Sequence, residues 1–131
     1  VIVLSDATPM PTLATKDMAA ARAFYEGVLG LPVLTEWEGE GVIYRSGEGS
    51  ILLYPSAYAG TNQATYVGWM VPDFDAEVAR LRAAGVEFDT FEMPGATWDN
   101  GVASDAEQGM RNVWFRDPDG NILTVGQPPA E

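Results

Sequence analysis

The side chains that most often carry enzyme chemistry at neutral pH are missing: among 131 residues there is no histidine and no cysteine. This removes thiolate nucleophiles, disulfides and cysteine-based zinc sites. It also removes the usual neutral-pH proton shuttle and the commonest transition-metal ligand. Asp, Glu, Tyr, Ser and Thr remain. No spacing picks out a carboxylate pair for acid–base work. Serine and threonine nucleophiles lack both a histidine partner and a Gly-x-Ser-x-Gly elbow. No glycine-rich phosphate loop follows a strand, and Gly47-Glu48-Gly49 carries an acid that would repel phosphate. The other resource is aromatic, with 4 Trp, 5 Tyr and 5 Phe. Such rings stack on flat ligands and attract cations.

Charge narrows the partners. Seven basic residues against 19 acids give a formal charge of −12. That balance repels nucleic acid and anionic lipid and would draw in a cationic small molecule. The plainer reading is an acidic surface that favours solubility. No apolar run approaches the roughly 18 residues of a membrane span. The opening Val1–Asp6 has no basic region and does not read as a secretion signal. With no cysteine, a cytoplasmic location is expected. A hydrophobic content of 47% suits one domain with a true core.

The elements that must position these side chains fall into two similar halves. Residues 11–15 read as a strand, and Asp17 caps a helix whose apolar positions are Met18, Ala21, Phe24, Tyr25, Val28 and Leu29. Gly30 ends it. Strands follow over 32–37, 41–46 and 50–54, separated by Gly/Glu turns. After a linker, 57–63, the pattern repeats. A strand spans 64–71, Asp73 caps a helix over 75–84 with a stripe of Phe74, Val78, Leu81 and Ala84, and Gly85 ends it. A strand is expected over 86–91, then a long loop over 93–109 that holds Trp98 and a short strand near 101–104. A last hairpin, 112–116 with 121–125, turns at Asp117-Pro118-Asp119-Gly120. The Pro/Ala/Glu tail is expected to be loose. Asp17 and Asp73, and again Gly30 and Gly85, recur at nearly one offset, which suggests duplication. The fold class is therefore α+β: two βαβββ modules, about 10–56 and 64–126, forming one cupped, barrel-like mixed sheet with helices outside.

Three strings carry a family resemblance: Lys16-Asp17-Met18 through Ala23-Phe24-Tyr25-Glu26-Gly27-Val28-Leu29-Gly30-Leu31, then Val71-Pro72-Asp73-Phe74-Asp75, then Phe115-Arg116-Asp117-Pro118-Asp119-Gly120-Asn121. In that order they resemble the vicinal oxygen chelate superfamily, which includes glyoxalase I, extradiol dioxygenases and bleomycin-resistance proteins. Its metal-dependent members place His or Gln, Glu, His and Glu on four inner strand positions. Carried over, these positions fall on Met10, Leu52, Tyr66 and Thr124. A soft thioether, an alkyl chain, a neutral phenol and an alcohol are not a ligand set for a catalytic divalent cation. The resemblance therefore implies the fold without the metal: no metal and no cofactor is expected, and neither glyoxalase nor dioxygenase chemistry.

Strand alternation extends the four positions to the face they share. Thr12 joins Met10; Ser50 and Tyr54 join Leu52; Gly68 and Met70 join Tyr66; Ile122 joins Thr124. A type I turn with Gly120 as a bulge sets Trp114 opposite Thr124 and turns Phe115 to the helix-side core. Trp98 belongs with the site because loops carry function and an exposed Trp is costly without a use; Trp37 is a second candidate for the rim. The expected ligand-binding residues are Met10, Thr12, Leu52, Tyr54, Tyr66, Gly68, Trp98, Trp114 and Thr124. Leu52 and Met70 also suit plain packing. Glu36, Glu38, Glu40, Glu48 and Asp99 read as solvated charges or as a negative mouth, and Arg22, Arg80 and Arg82 as helix-face charges. The expected function is metal-independent binding of an aromatic or cationic small molecule. The alternatives are a metal-free isomerase, lyase or hydrolase using Asp, Glu or Tyr, and an accessory domain without ligand. The resemblance also implies a homodimer.

Overall fold

The computed structural model describes residues 4–105, 107 and 109–128. Val1–Val3 and the Pro129–Glu131 tail lie outside them. Two compact units emerge. The first runs to Thr61 and takes in Pro118–Gly120; the second covers Asn62–Asp117 and resumes at Asn121.

In the first unit β1 is Thr12–Thr15. Asp17 is extended (φ −138°) and its carboxylate accepts from the Ala20 N–H at 3.1 Å, the cap its residue type predicts. Helix α1, Met18–Arg22, continues as a wider π-helical turn over Ala23–Val28, where the Leu29 N–H donates to the Phe24 carbonyl at 2.9 Å. Apolar spacing cannot separate this turn from an ordinary helix. Gly30 leaves it at φ 73°, as a helix-ending glycine should. Strands β2 (Val33–Trp37), β3 (Gly41–Ser46) and β4 (Gly49–Pro55) complete a sheet of order β1-β4-β3-β2, parallel only at β1–β4. Leu13, Val42, Tyr44, Ile51 and Leu53 are its buried face, and Tyr25 from the π-helical turn stacks on Tyr44 at 6.1 Å.

The second unit repeats the plan with one more strand. It comprises β5 (Thr65–Met70), α2 (Phe74–Ala83, capped by Asp73), β6 (Thr97–Asp99), β7 (Val102–Asp105), β8 (Met110–Arg116) and β9 (Ile122–Gln127). Its order is β5-β9-β8-β7-β6, parallel only at β5–β9. Phe74, Val78 and Leu81 are the buried stripe of α2; Ala84 is the C-cap and exposed. Val67, Val113, Phe115, Leu123 and Val125 form the buried sheet face.

The α+β class and the two helix-bearing modules are those the sequence predicts, with three corrections. The strands make two mixed sheets rather than one. Residues 86–91 are not a strand: only Asp89 makes a bridge, to Trp114. In the 93–109 segment the expected short strand near 101–104 is β7, but it forms a hairpin with a second strand that was not expected, β6. Its turn is Asn100-Gly101, both at positive φ (49° and 82°), the pair a tight hairpin requires. A three-residue strand such as β6 is too short for alternation to reveal. Among the described residues no helix is long and apolar enough to cross a membrane.

Candidate functional site

The second unit gathers aromatic side chains at one place. The β8–β9 turn sets the geometry. Buried Asp117 accepts from the Asn121 backbone N–H (2.9 Å) and side-chain amide (2.8 Å), and the Asp117 N–H donates to the Asn121 carbonyl (3.0 Å). This locks the register that pairs Trp114 with Thr124 and Phe115 with Leu123. Phe115 is fully buried and Trp114 half-buried, as alternation predicts. Trp98, on β6, lies 6.0 Å from Trp114 between ring centres. Phe91 meets both edge to face, at 5.3 Å to Trp98 and 4.9 Å to Trp114. Phe91 is held through Asp89, whose N–H donates to the Trp114 carbonyl (2.8 Å) and whose carboxylate accepts from Arg116 (2.8 Å).

Beside Trp114 opens a cleft of about 210 Å³, lined by Met93, Ala96, Ala103, Met110 and Asn112 among others. Its walls are chiefly apolar and rich in thioether, which adapts to varied ring shapes. Phe91, Met93, Met110 and Asn112 were not among the expected site residues. Asn100-Gly101 was the available signal: read as a hairpin turn, it pairs Trp98 with Ala103, which the next hairpin pairs with Asn112.

The other predicted positions divide between the units. Thr124 donates to the Val113 carbonyl (2.9 Å) and accepts from the Asn112 amide (3.3 Å), so its hydroxyl is engaged inside the sheet. Gly68 pairs with Thr124, and a Cβ there would come within 2.8 Å of the threonine methyl; it is a packing glycine. Tyr66 is half-buried where the β5–β9 register shifts. In the first unit Thr12 pairs with Leu52, while Met10 and Tyr54 are exposed. Trp37 joins Leu52: both lie within 4 Å of where a Gly41 Cβ would stand.

Glu36, expected as a solvated charge or part of a negative mouth, pairs with the helix-face charge Arg22. Arg22 donates to Glu26 (2.6 Å) and to Glu36, and Glu26 also accepts from the Tyr44 hydroxyl (2.9 Å). Arg22 first and Tyr44 second draw Glu26 below the usual carboxylate range, against the opposing effect of burial. Burial, then Glu26, raises the Tyr44 phenol above its ordinary value. Asp75 is lowered by Arg111.

The four positions that the resemblance assigns to a metal do not fit one. Met10, Leu52 and Tyr66 offer a thioether, no donor and a phenol, and the Thr124 hydroxyl is committed to the sheet. Among the described residues no group of three or more His, Cys, Asp or Glu could hold a metal ion.

No curated protein matches the chain. Solved structures share its fold across almost the whole length. One is a lactoylglutathione lyase from Agrobacterium tumefaciens, with 23% identity over 92% of both chains and a TM-score of 0.67. A second is a bleomycin resistance determinant encoded on the transposon Tn5, with 18% identity over 93% of this chain and 98% of that one and a TM-score of 0.69. A third is TnmS3, an antibiotic binding protein from Streptomyces sp. CB03234, with 23% identity over 91% and 93% and a TM-score of 0.65. The family model matching residues 9–125 is that of the Glyoxalase/Bleomycin resistance protein/Dioxygenase superfamily, and the chain belongs to that superfamily.

Proposed function

We propose that this protein binds a flat aromatic or cationic small molecule without a metal ion. The observation that carries this reading is the Phe91–Trp98–Trp114 cluster beside an apolar cleft, with Trp114 shared by both. An exposed ring face gains free energy by stacking, and more if the ligand is a cation. The chain's charge of −12 would favour a cation's approach. Two of the similar structures are a bleomycin resistance determinant and an antibiotic binding protein, which is consistent with small-molecule binding. The carboxylates with shifted ionisation, Glu26 and Asp75, are held in their charged form, whereas a general acid needs the opposite. The homodimer implied by the resemblance is part of this reading; its mark is a scattering mass twice that of the chain.

The test is a titration with 9-aminoacridine, a flat aromatic cation, followed by tryptophan quenching and thermal shift. Acridone serves as its uncharged counterpart, and divalent metals and EDTA form a separate arm. Saturable quenching that survives EDTA supports the proposal. Melting raised by a metal and reversed by EDTA overturns the metal-free reading, and absence of binding by either ring compound overturns the ligand class.

A further inference from the structure

Arg82 stands in the last turn of α2, where a basic side chain suits the helix dipole and needs no other role. Its guanidinium nevertheless leaves the helix surface. It donates to the Asn100 carbonyl in the β6–β7 turn, and its central carbon lies 4.8 Å from the centre of the Phe88 ring. Phe88 is braced in turn against fully buried Phe115, with 6.3 Å between ring centres. The same turn rests on Phe88 at a second point. A Cβ on Gly101 would come within 3.1 Å of the Phe88 Cβ. The turn is therefore gripped by a guanidinium and seated on a ring that is itself anchored in the core.

This grip matters because of what the hairpin carries. Strand β6 has three residues and is the outermost of its sheet. So short an edge strand makes few ladder bonds of its own, and its position depends on what holds its ends. Trp98 is the middle residue of β6, paired with Ala103 and two residues before Asn100. We propose that Arg82 is a positioning residue for Trp98, fastening the β6–β7 turn to α2 and Phe88 so that the indole is presented to Phe91 and Trp114. Lysine would not be equivalent, since it lacks the planar guanidinium that lies over Phe88 while donating to the turn. The consequence for ligand affinity rests on the binding function proposed above; the placement of Trp98 does not.

The test has a ligand-free arm and a binding arm. Trp98 and Trp114 are close enough to couple as an exciton pair in circular dichroism. The wild-type protein should show that couplet and W98F should lack it. R82A should lose most of it while keeping its helix and strand signal, and R82K should fall between. In the binding arm, R82A should raise the Kd for 9-aminoacridine about three- to tenfold, the scale of one cation–π contact. The same substitution in a W98F background should change Kd little. A full couplet in R82A overturns the proposal, as does an equal loss of affinity with and without Trp98. If R82A does not fold, R82K decides: a wild-type couplet and affinity in R82K overturn it. Failure of the wild-type protein to bind 9-aminoacridine counts against the binding function, and the couplet still decides the role of Arg82.

Discussion

The two units share a strand–helix–strands plan, the second with one strand more, yet group their aromatic and charged residues differently. In the first, Tyr25 and Tyr44 are fully buried and stacked, while the exposed rings Trp37, Tyr54 and Tyr58 form no such cluster among the described contacts. Its charges join the helix to the next strands through Tyr44, Glu26, Arg22 and Glu36. In the second, Phe115 fills the core while Phe91, Trp98 and Trp114 cluster at the edge of a cleft. Its charges, Arg82 and the Asp89–Arg116 pair, hold the segments that carry those rings. One unit spends its polar contacts on cohesion and the other on presenting a surface. A duplicated plan leaves that choice open, because the helix-side face must be buried in both copies but the opposite face need not be.

The comparison can be tested from its largest expected effect downward. Phe115→Ala and Tyr25→Ala remove fully buried rings from the two cores, and each should cost about 3–5 kcal/mol in denaturant unfolding. If Phe115→Ala costs no more than a surface substitution, the inner face of the second unit is misassigned. Trp114→Ala should weaken 9-aminoacridine binding by roughly tenfold, on the scale of one lost aromatic contact, while Trp37→Ala should leave it nearly unchanged. The reverse ranking would move the site to the first unit.

Tyr44→Phe tests cohesion in the first unit. It removes the hydroxyl that donates to Glu26 and should cost about 1 kcal/mol with no change in ligand affinity. The same network has a pH signature. Glu26 is lowered in the folded state, so its stabilisation is present above the carboxylate's ordinary value and is lost as pH falls through the folded value. Melting temperature should therefore fall on acidification less steeply in Glu26→Gln than in the wild-type protein, although that variant should be less stable at neutral pH. Parallel acid limbs would show that Glu26 is not held as the structure places it. The smallest effect belongs to Asp89→Asn. Its pair with Arg116 is largely exposed, so global stability should change by about 0.5 kcal/mol or less. Any effect should appear instead in the edge-to-face contacts of Phe91, read by near-ultraviolet circular dichroism.

Much of the fold was legible because its signals are local. Asp17 and Asp73 announce helix starts through their own carboxylates, and Gly30 and Gly85 announce the ends through a φ that other residues resist. Alternation placed Phe115 inward and Trp114 opposite Thr124, since the Asp117–Asn121 turn is also a local device. The site was less legible. Thr124 and Gly68 share the expected face, where the threonine hydroxyl bonds within the sheet and the glycine leaves room for the threonine methyl. Phe91 reads as strand because Val86–Phe91 is apolar and alternating, yet only Asp89 finds a bridging partner.

By itself the sequence determined what this protein lacks and how its modules repeat. Side-chain chemistry is a property of composition, and caps and periods act over a few residues. Only the tertiary structure decided which rings meet. Arg82 reaches a carbonyl 18 positions away, and Asp89 reaches Arg116 across 27. Those contacts depend on how far a hairpin and an irregular segment are carried by the elements beneath them. No local pattern encodes that distance, which is why the aromatic cleft emerges only once the chain is folded.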